Sequence, residues 1–255
     1  MHKIKFYLIG ILFLFGASKL NAQSENSVRL SLTASPNINW LSPANDGYNS
    51  EGIKMGVTYG LLTDFRLFGV DNYSLCTGFT FSHLGGKISS PDVHDDNGTL
   101  VPARKFSDYK FTNIDVPMVV RLKTNEIGYN VFYALFGSEL GFNINAQNKF
   151  TKTYNGQTTA EVTEDISKSN GEDEEYANWF RTSLVFGLGV QRTISGNTSY
   201  RIGVTYHNGL TNAFGGKTYL TDSNNEVIIT NNIAQRDRNL STKQQFVELS
   251  LSIVF

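Results

Sequence analysis

Hydrophobic and polar residues alternate through the last ten positions of the chain, residues 246–255. Every odd position in this stretch is apolar, whereas Glu248, Ser250 and Ser252 occupy even positions. Successive side chains of a β-strand point to opposite faces, so a two-residue period separates one face from the other. The stretch therefore predicts a terminal strand with one wholly apolar face and one largely polar face.

Seven earlier stretches show the same period, which predicts a protein built mainly from strands. The eight predicted strands cover residues 28–40, 53–68, 73–86, 106–123, 130–145, 178–193, 199–210 and 244–255. The chain has 23 Gly, 18 Phe and 12 Tyr but only 5 Pro, and its mean hydropathy is -0.23. Its apolar residues are thus dispersed, and no stretch after residue 22 predicts a membrane-spanning helix.

The connections between the strands distinguish two all-β architectures. In a soluble sandwich the apolar faces of two sheets pack together, whereas in an outer-membrane barrel they face lipid. The gaps between predicted strands hold 12, 4, 19, 6, 32, 5 and 33 residues, so long and short connections alternate. Short periplasmic turns and long extracellular loops are typical of the barrel. We therefore predict an all-β fold, an eight-stranded antiparallel transmembrane up-and-down barrel with periplasmic termini and long extracellular loops.

Local signals refine this prediction. The alternation changes phase near Phe111, which indicates a bulge or a section outside the bilayer. In the third long loop, Asn155-Gly156 separates two β-prone runs, and this pair is a strong hairpin signal. In the fourth long loop, residues 217–220 and 226–230 flank a polar run in the same way. We expect both hairpins to extend the barrel wall beyond the membrane.

The inward face of the predicted barrel carries charges of both signs and many glycines, which make room for larger neighbours. An unpaired charge in so narrow a lumen would be costly, so we predict a buried ionic core and no open pore. The predicted core residues are Arg29, Arg66, Asp115, Arg121, Glu139, Arg181, Arg201 and Glu248. Three further charged residues fall on inward positions, namely Lys54, Asp64 and Lys123.

The amino terminus has the layout of a secretory signal peptide. Lys3 and Lys5 precede an apolar stretch at residues 6–17, and small or polar residues follow up to Ala22. We place cleavage after Ala22, which leaves residues 23–255 as the barrel domain. The apolar stretch is too short for a permanent anchor, and no Cys follows it to carry a lipid.

Charge and cysteine content exclude several classes of function. Loss of three lysines with the signal peptide leaves 19 of the 22 basic residues against 23 acidic ones, a net charge of −4. A generally basic nucleic-acid-binding protein is therefore not predicted. Cys76 is the only cysteine, which rules out an internal disulfide, and we interpret it as a packing residue.

No pattern of residues predicts catalysis, a cofactor or a metal. The four histidines lack accompanying acids or nucleophiles at catalytic spacings, and we expect His207 to be an inward, hydrogen-bonded structural residue. The acidic segment at residues 92–98 resembles a calcium loop, but the loop's bidentate Glu position falls on Arg104, so we predict an irregular acidic turn. The acidic run at residues 172–175 predicts a solvated loop, with ions that bridge to lipid phosphates as the alternative.

Several segments resemble a known family. Residues 111–121, Phe-Thr-Asn-Ile-Asp-Val-Pro-Met-Val-Val-Arg, resemble the proline-containing strand of PorT-like outer-membrane β-barrel proteins. Residues 131–142 resemble the next strand of that family, and residues 186–190 and 249–255 also fit, so the resemblance covers essentially the whole mature chain. It implies an integral outer-membrane protein without known catalytic residues, and its best-known member is associated with type IX secretion and gliding.

These observations lead to three hypotheses for a non-enzymatic barrel. The first is an accessory or structural subunit of an outer-membrane export or envelope-assembly complex. The second is a stand-alone adhesion or ligand-binding barrel that acts through the loops at residues 146–177 and 211–243. The third is a small channel.

The expected partners are outer-membrane lipid, the barrel assembly machinery and other outer-membrane or surface proteins, and no nucleic acid is expected. The assembly machinery is expected to recognise the apolar face of the last strand, because an unpaired strand edge can pair with another sheet. The residues of this predicted assembly signal are Leu249, Leu251, Ile253 and Phe255.

Overall fold

A computed structural model describes residues 28–168 and 174–255. Eight long strands dominate it, and we label them β1–β8. Their bounds are Val28–Pro43 (β1), Lys54–Arg66 (β2), Tyr73–Asp96 (β3), Thr99–Lys123 (β4), Asn130–Tyr154 (β5), Phe180–Ser195 (β6), Thr198–Asn212 (β7) and Thr242–Val254 (β8). The predicted signal peptide, residues 1–22, lies outside the described residues.

Nine shorter strands bring the total in the described ranges to seventeen, whereas the sequence pattern predicts eight. The short strands are Asn49–Gly52, Gln157–Thr158, Val162–Asp165, Tyr176–Ala177, Phe214–Gly215, Lys217–Tyr219, Ile229–Thr230, Ile233–Ala234 and Arg236–Asn239. Two to four residues are too few to show a period, so the sequence pattern misses them. Within the described ranges, no helix is long and apolar enough to cross a membrane. The predicted all-β, antiparallel class is confirmed.

The eight long strands pair in sequence order, and β8 returns to β1, so the sheet closes on itself. The ladder can be followed once around the ring through directly paired residues: Arg29, Asp64, Cys76, Val119, Gly137, Val185, His207, Phe246 and Asn39. The path starts at Arg29 and returns to β1 at Asn39, ten residues further along. At about 3.3 Å per residue and about 4.8 Å between strands, this stagger tilts the strands by about 40°.

Apolar and polar side chains occupy the opposite faces of the ring from those they occupy in a soluble protein. Apolar residues point outward and stay exposed, as Met55 (80%) and Leu188 (71%) show, whereas Ser82 and Asp115 point inward and are 0% exposed. Large apolar side chains in water would each cost about 1.5 to 3 kcal/mol relative to burial. The outward face therefore requires an apolar surrounding.

We call the end of the ring where β1 begins and β8 ends the termini end, and the opposite end the hairpin end. The second long connection, residues 87–105, is a continuous hairpin of β3 and β4 at the hairpin end, so residues 92–98 form paired strands and a tight turn instead of the predicted irregular acidic turn. Asn97 and Gly98 alone connect the two strands, with φ of 53° and 85°. Paired positive φ values suit the two-residue turn that matches strand twist. Sequence alternation fails here because both faces of this extension are largely polar.

The hairpin predicted at Asn155-Gly156 is present, since Tyr154 pairs with Gln157. The fourth long loop differs from its prediction. Lys217–Tyr219 pairs with Arg236–Asn239 instead of with residues 226–230. The two predicted segments meet only at their near ends, where the amide of Ile228 donates to the carbonyl of Leu220 at 2.9 Å beside the bridge between Thr221 and Val227. Two consecutive asparagines with positive φ form a separate turn between Ile229–Thr230 and Ile233–Ala234.

An apolar core fills the hairpin end of the molecule. Its buried residues are Leu41, Leu84, Ile88, Tyr109, Phe111, Ala146, Ile166, Ala177, Phe214, Leu240 and Phe246. The change of phase that the sequence shows near Phe111 reflects this core. The same alternate positions of β4 point inward on both sides of Phe111, but Tyr109 and Phe111 occupy inward positions that are polar elsewhere on the strand. The bulge lies on the neighbouring β5, where Thr112 pairs with Asn145 but Asn113 pairs with Asn143.

One side chain of the fourth loop completes a strand edge. Asn232 donates from Nδ2 to the carbonyl of Gly98 at 2.9 Å and accepts at Oδ1 from the amide of Leu100 at 2.6 Å. Its carboxamide thus forms the two bonds that a neighbouring strand would form. The contact fastens the fourth loop to the β3–β4 hairpin.

Candidate functional site

The interior of the ring contains two separate charged layers. Near the termini end, the carboxylate of Asp64 lies between Arg121 and Arg201. Arg121 donates from Nη1 to both oxygens of Asp64, and Nη1 of Arg201 lies 2.6 Å from Oδ2 of the same carboxylate. Arg201 also donates from Nε to Gln191 at 2.8 Å, and all of these side chains are buried. We call Asp64, Arg121 and Arg201 the inner layer.

The second layer lies closer to the hairpin end. Arg181 donates from Nη2 to Asp115 and to Glu139, each at 2.8 Å, and Ser82 donates to the other oxygen of Asp115. His207 lies between two carboxylates, 3.4 Å from Glu139 and 3.8 Å from Glu248. We call Asp115, Glu139, Arg181, His207 and Glu248 the outer layer.

A small apolar cluster lies between the two layers. Cys76, Val119 and Val185 are buried in the middle of the ring, with Leu62 and Leu135 packed against them. The remaining interior cavity measures about 60 Å³. Beyond the outer layer, the ring of Phe246 stacks on His207 with centroids 4.0 Å apart and begins the apolar core. The interior is therefore narrow between the two layers and apolar beyond the outer layer.

The predicted core residues fall into three groups in the structure. Six belong to the two layers, while Arg29 and Arg66 line a small pocket at the termini end with Lys123. Arg66 pairs there with Asp71 at 2.8 Å. Lys54, also expected inside, reaches Asp108 and the carbonyl of Tyr109 near the hairpin end. The charged residues expected inside the ring thus lie in the two layers, in the pocket at the termini end and, for Lys54, near the hairpin end.

Glycines make room for the largest interior side chain. The phenol of Tyr133 occupies the space in which a Cβ on Gly189 or Gly203 would lie. The guanidinium of Arg121 lies over its ring, 5.2 Å from the centroid. Small and large residues on facing strands thus fill the lumen together.

A larger cavity opens at the hairpin end, above the apolar core. It measures about 600 Å³, ten times the interior cavity. Its walls come from β3, β4 and β5 and from the third and fourth loops, and Ile166 and Leu240 of the apolar core form part of its lining. We call it the outer cavity. The sequence pattern gave no sign of it, because its lining residues are spread from Tyr48 to Leu240.

Charged residues of the outer cavity are paired across its walls. Lys152 lies 2.9 Å from Asp92, and Lys105 lies 3.6 Å from Glu175. Arg236 donates from Nη2 to the hydroxyl of Tyr219 at 2.7 Å. Each of these groups is thereby held in a fixed position on the wall.

Two tyrosines lie at the base of this region, Tyr48 in the lining of the outer cavity and Tyr109 in the apolar core. Burial raises the pKa of Tyr48, and burial likewise raises the pKa of Tyr109, with the nearby Glu175 carboxylate acting in the same direction. The hydroxyl of Tyr109 donates a hydrogen bond to the carboxylate of Glu175. In the described part of the chain, no group of three or more His, Cys, Asp or Glu residues is arranged to hold a metal ion.

Comparison with known families identifies the class of protein. Residues 21–215 match the model of the family described as "Outer membrane protein beta-barrel domain". The chain belongs to this family. It is therefore an outer-membrane protein, and the apolar surrounding that its outward face requires is lipid. A PorT-like subfamily is not resolved by this match, and no curated protein matches the chain.

Solved structures of outer-membrane proteins are similar over most of the chain but distant. Neisserial surface protein A (NspA) is 11% identical with a TM-score of 0.42, over 90% of this chain and 96% of that one. Ail of Yersinia pestis, in complex with the heparin analogue sucrose octasulfate, is 15% identical with a TM-score of 0.37, over 90% and 99%. OprG of Pseudomonas aeruginosa is 7% identical with a TM-score of 0.46, over 90% and 96%. These similarities are too distant to indicate what the chain binds.

The residues predicted as an assembly signal lie on the lipid-facing side of this outer-membrane protein. Leu249, Leu251, Ile253 and Phe255 point outward from β8 and its end, and each is 38% to 60% exposed. The amide of Phe255 donates to the carbonyl of Leu30 at 2.8 Å, so the chain is paired with β1 to its last residue. Whether the assembly machinery reads these residues stays a prediction.

Proposed function

We propose that this protein is a non-enzymatic, eight-stranded transmembrane barrel that binds a ligand at the cell surface through its outer cavity. The contrast between the two cavities carries this proposal. The lumen keeps only about 60 Å³ between its charged layers, whereas the hairpin end holds about 600 Å³. Small-molecule sites are typically about 300 to 1,000 Å³. The outer cavity thus has the size of a binding site, and the lumen does not.

In this proposal the termini end faces the periplasm and the hairpin end faces the medium. The short turns at the termini end and the long hairpins at the other support this orientation. Cysteine labelling tests it: Asn97→Cys should react with a membrane-impermeant maleimide in intact cells, while Asn72→Cys should react only after lysis. The native Cys76 is 1% exposed and serves as the unlabelled background. The opposite labelling pattern would reject the orientation and, with it, the surface-binding role.

The fourth loop offers a clean way to remove one wall of the outer cavity. The amide of Leu240 donates to the carbonyl of Gly216 at 3.0 Å, so residues 217–239 can be replaced by a short Gly-Ser linker without stretching the chain. We expect the shortened protein to reach the outer membrane at normal levels but to lose binding in an adhesion assay on immobilised glycans, peptides and matrix proteins. Replacement of Asn97 by Gly provides the control. Equal binding by cells with and without the intact protein would reject the proposal.

A second candidate, the accessory subunit of an export or assembly complex, is favoured by the turns at the termini end. Phe68, Ile127, Tyr129 and Ile194 are large apolar residues there, and each is 60% to 90% exposed. A partner protein in the envelope would cover them. Gentle detergent extraction should then recover a larger complex from wild-type cells but not from a Phe68→Ser, Tyr129→Ser variant. A monomer from both strains would reject this role.

The channel hypothesis has the least support. The lumen keeps a cavity of only about 60 Å³ between the two charged layers, and the apolar core fills it beyond the outer layer. An ion would have to lose its hydration at both places, which is costly. Planar-bilayer recordings are therefore expected to show no steady conductance.

A further inference from the structure

The lining of the outer cavity indicates the chemistry of its ligand. Its described charged residues include five carboxylates and four cations, which are Asp92, Glu164, Asp165, Glu174, Glu175, Lys105, Lys152, Lys217 and Arg236. A polyanion would meet more carboxylates than cations, and a polycation would meet four cations. The balance of signs therefore favours a ligand without net charge.

The arrangement of these charges indicates which uncharged ligands fit the cavity. Ammonium and guanidinium groups only donate hydrogen bonds, and carboxylates only accept them. Donor and acceptor stand side by side in the pair of Lys152 with Asp92, at 2.9 Å, and in the pair of Lys105 with Glu175, at 3.6 Å. A hydroxyl both donates and accepts, so an array of hydroxyls satisfies such alternating walls without breaking the pairs.

Apolar surface lies between the charged pairs. The ring of Phe150 lies 4.5 Å from the ammonium of Lys105 and 6.0 Å from that of Lys152, and Pro91, Ile166 and Leu240 add aliphatic surface to the same cavity. Sugar rings present hydroxyls at their edges and C–H groups on their faces. This combination fits a wall in which polar pairs flank apolar patches.

We propose that the outer cavity binds a short, neutral oligosaccharide. The inference rests on the proposed surface-binding function and specifies the ligand of that same cavity. Arg236 and Tyr219, joined by a hydrogen bond of 2.7 Å on the fourth loop, line one side of the site.

Binding measurements on the full-length protein in lipid nanodiscs test this. Maltotriose, cellotriose and triacetylchitotriose are the neutral probes, a wider glycan array extends them, and a heparin-derived tetrasaccharide and a mixed-charge peptide library represent the other classes. At least one neutral oligosaccharide should bind with a Kd of about 1 mM or tighter. Arg236→Met should weaken it by about ten-fold or more, as expected for the loss of a hydrogen bond to a charged group.

Arg238→Met is the matched control. Arg238 lies on the same short strand, but it is exposed, pairs with Asp46 at 2.8 Å and does not line the outer cavity. Its substitution should leave the Kd within about two-fold. Lys217→Met, at the rim, provides a second cavity variant if Arg236→Met does not fold.

The outcomes separate the ligand class from the function. Tighter binding of the sulfated tetrasaccharide or of a peptide, abolished by Arg236→Met, would overturn the carbohydrate assignment and leave the outer cavity as a binding site. Binding of a neutral sugar that Arg236→Met and Lys217→Met both leave unchanged would also overturn it. If no class of probe binds, the carbohydrate assignment fails. The adhesion assay on cells with the shortened fourth loop then tests the proposed surface-binding function separately.

Discussion

The same strands place their apolar side chains on opposite faces in two regions of the molecule, outward where they face lipid and inward near the hairpin end. In the lipid-facing region, β4 points Asp115 and Arg121 inward and Met118 outward. Near the hairpin end, β4 points Phe111 inward and Lys110 outward, as a water-soluble protein does. Odd-numbered positions of β4 point inward in both regions, so the surrounding solvent decides which face is apolar. Polar pairs hold the lipid-facing region together from within, and apolar packing does so at the hairpin end.

The largest expected effect comes from breaking the outer layer. Arg181→Met leaves Asp115 and Glu139 buried without their cation, which costs about 3 to 5 kcal/mol of unfolding free energy. Arg238→Met removes an exposed Arg–Asp pair of the same 2.8 Å length and should cost about 1 kcal/mol or less. Urea unfolding of both variants in lipid vesicles measures the difference. Equal losses would show that interior pairing does not stabilise the ring.

Loss of a core ring should affect the hairpin end alone. Phe111→Ala creates a cavity in the apolar core, and such truncations cost about 3 to 5 kcal/mol where the structure does not relax. We expect faster amide hydrogen exchange in the hairpin extensions and unchanged exchange near Asp64. Phe136→Ala, which faces lipid and leaves no internal cavity, is the control. Uniformly faster exchange throughout the protein would mean that the two regions unfold as one unit.

A lysine introduced on the outward face should lower stability in the lipid-facing region but not near the hairpin end, where the outward face meets water. Leu251→Lys introduces a charge on the lipid-facing side of β8, which costs about 2 to 4 kcal/mol near the middle of the membrane. Gln147→Lys makes a comparable change on β5 near the hairpin end, where we expect almost no loss. Refolding into vesicles of both variants provides the comparison. Equal stability would place β8 away from the membrane centre.

The smallest effect on stability is expected at the last residue. Deletion of Phe255 removes one backbone hydrogen bond, to Leu30, with a net contribution of about 1 kcal/mol. We nevertheless expect a marked fall in the amount that cells assemble, because the terminal aromatic is the proposed recognition signal. Comparison of outer-membrane levels with refolding in detergent separates the two effects. Normal levels in cells would limit the role of Phe255 to lipid packing.

The lipid-facing region was largely predictable. Apolar and polar residues alternate with a two-residue period wherever one face of a strand contacts lipid and the other faces the polar lumen. Asn155-Gly156 was predictable for a local reason, since the pair itself favours the required positive φ. The hairpin end was not predictable in the same way. Its core combines Leu41, Phe111 and Phe214, which are distant in sequence, and its loop strands contain only a few residues each.

The sequence pattern also did not predict the division of the lumen into layers. Alternation shows that Asp64 and Asp115 point inward, but it does not show which cation each meets across the ring. Those partners depend on the ten-residue stagger, which becomes visible only when the whole ladder closes. Arg121 and Arg201 converge on Asp64 for that reason, and Arg181 converges on Asp115.

The contact of Asn232 with the β3–β4 hairpin has a consequence for neighbouring copies in a crowded membrane. Near its tip, the hairpin would offer the unpaired amide of Leu100 and carbonyl of Gly98 as a template for another chain. Exposed edges of this kind promote sheet-to-sheet aggregation. A single carboxamide occupies both groups and ends the sheet at that point. The fourth loop thereby withdraws these two groups from pairing with a neighbouring molecule.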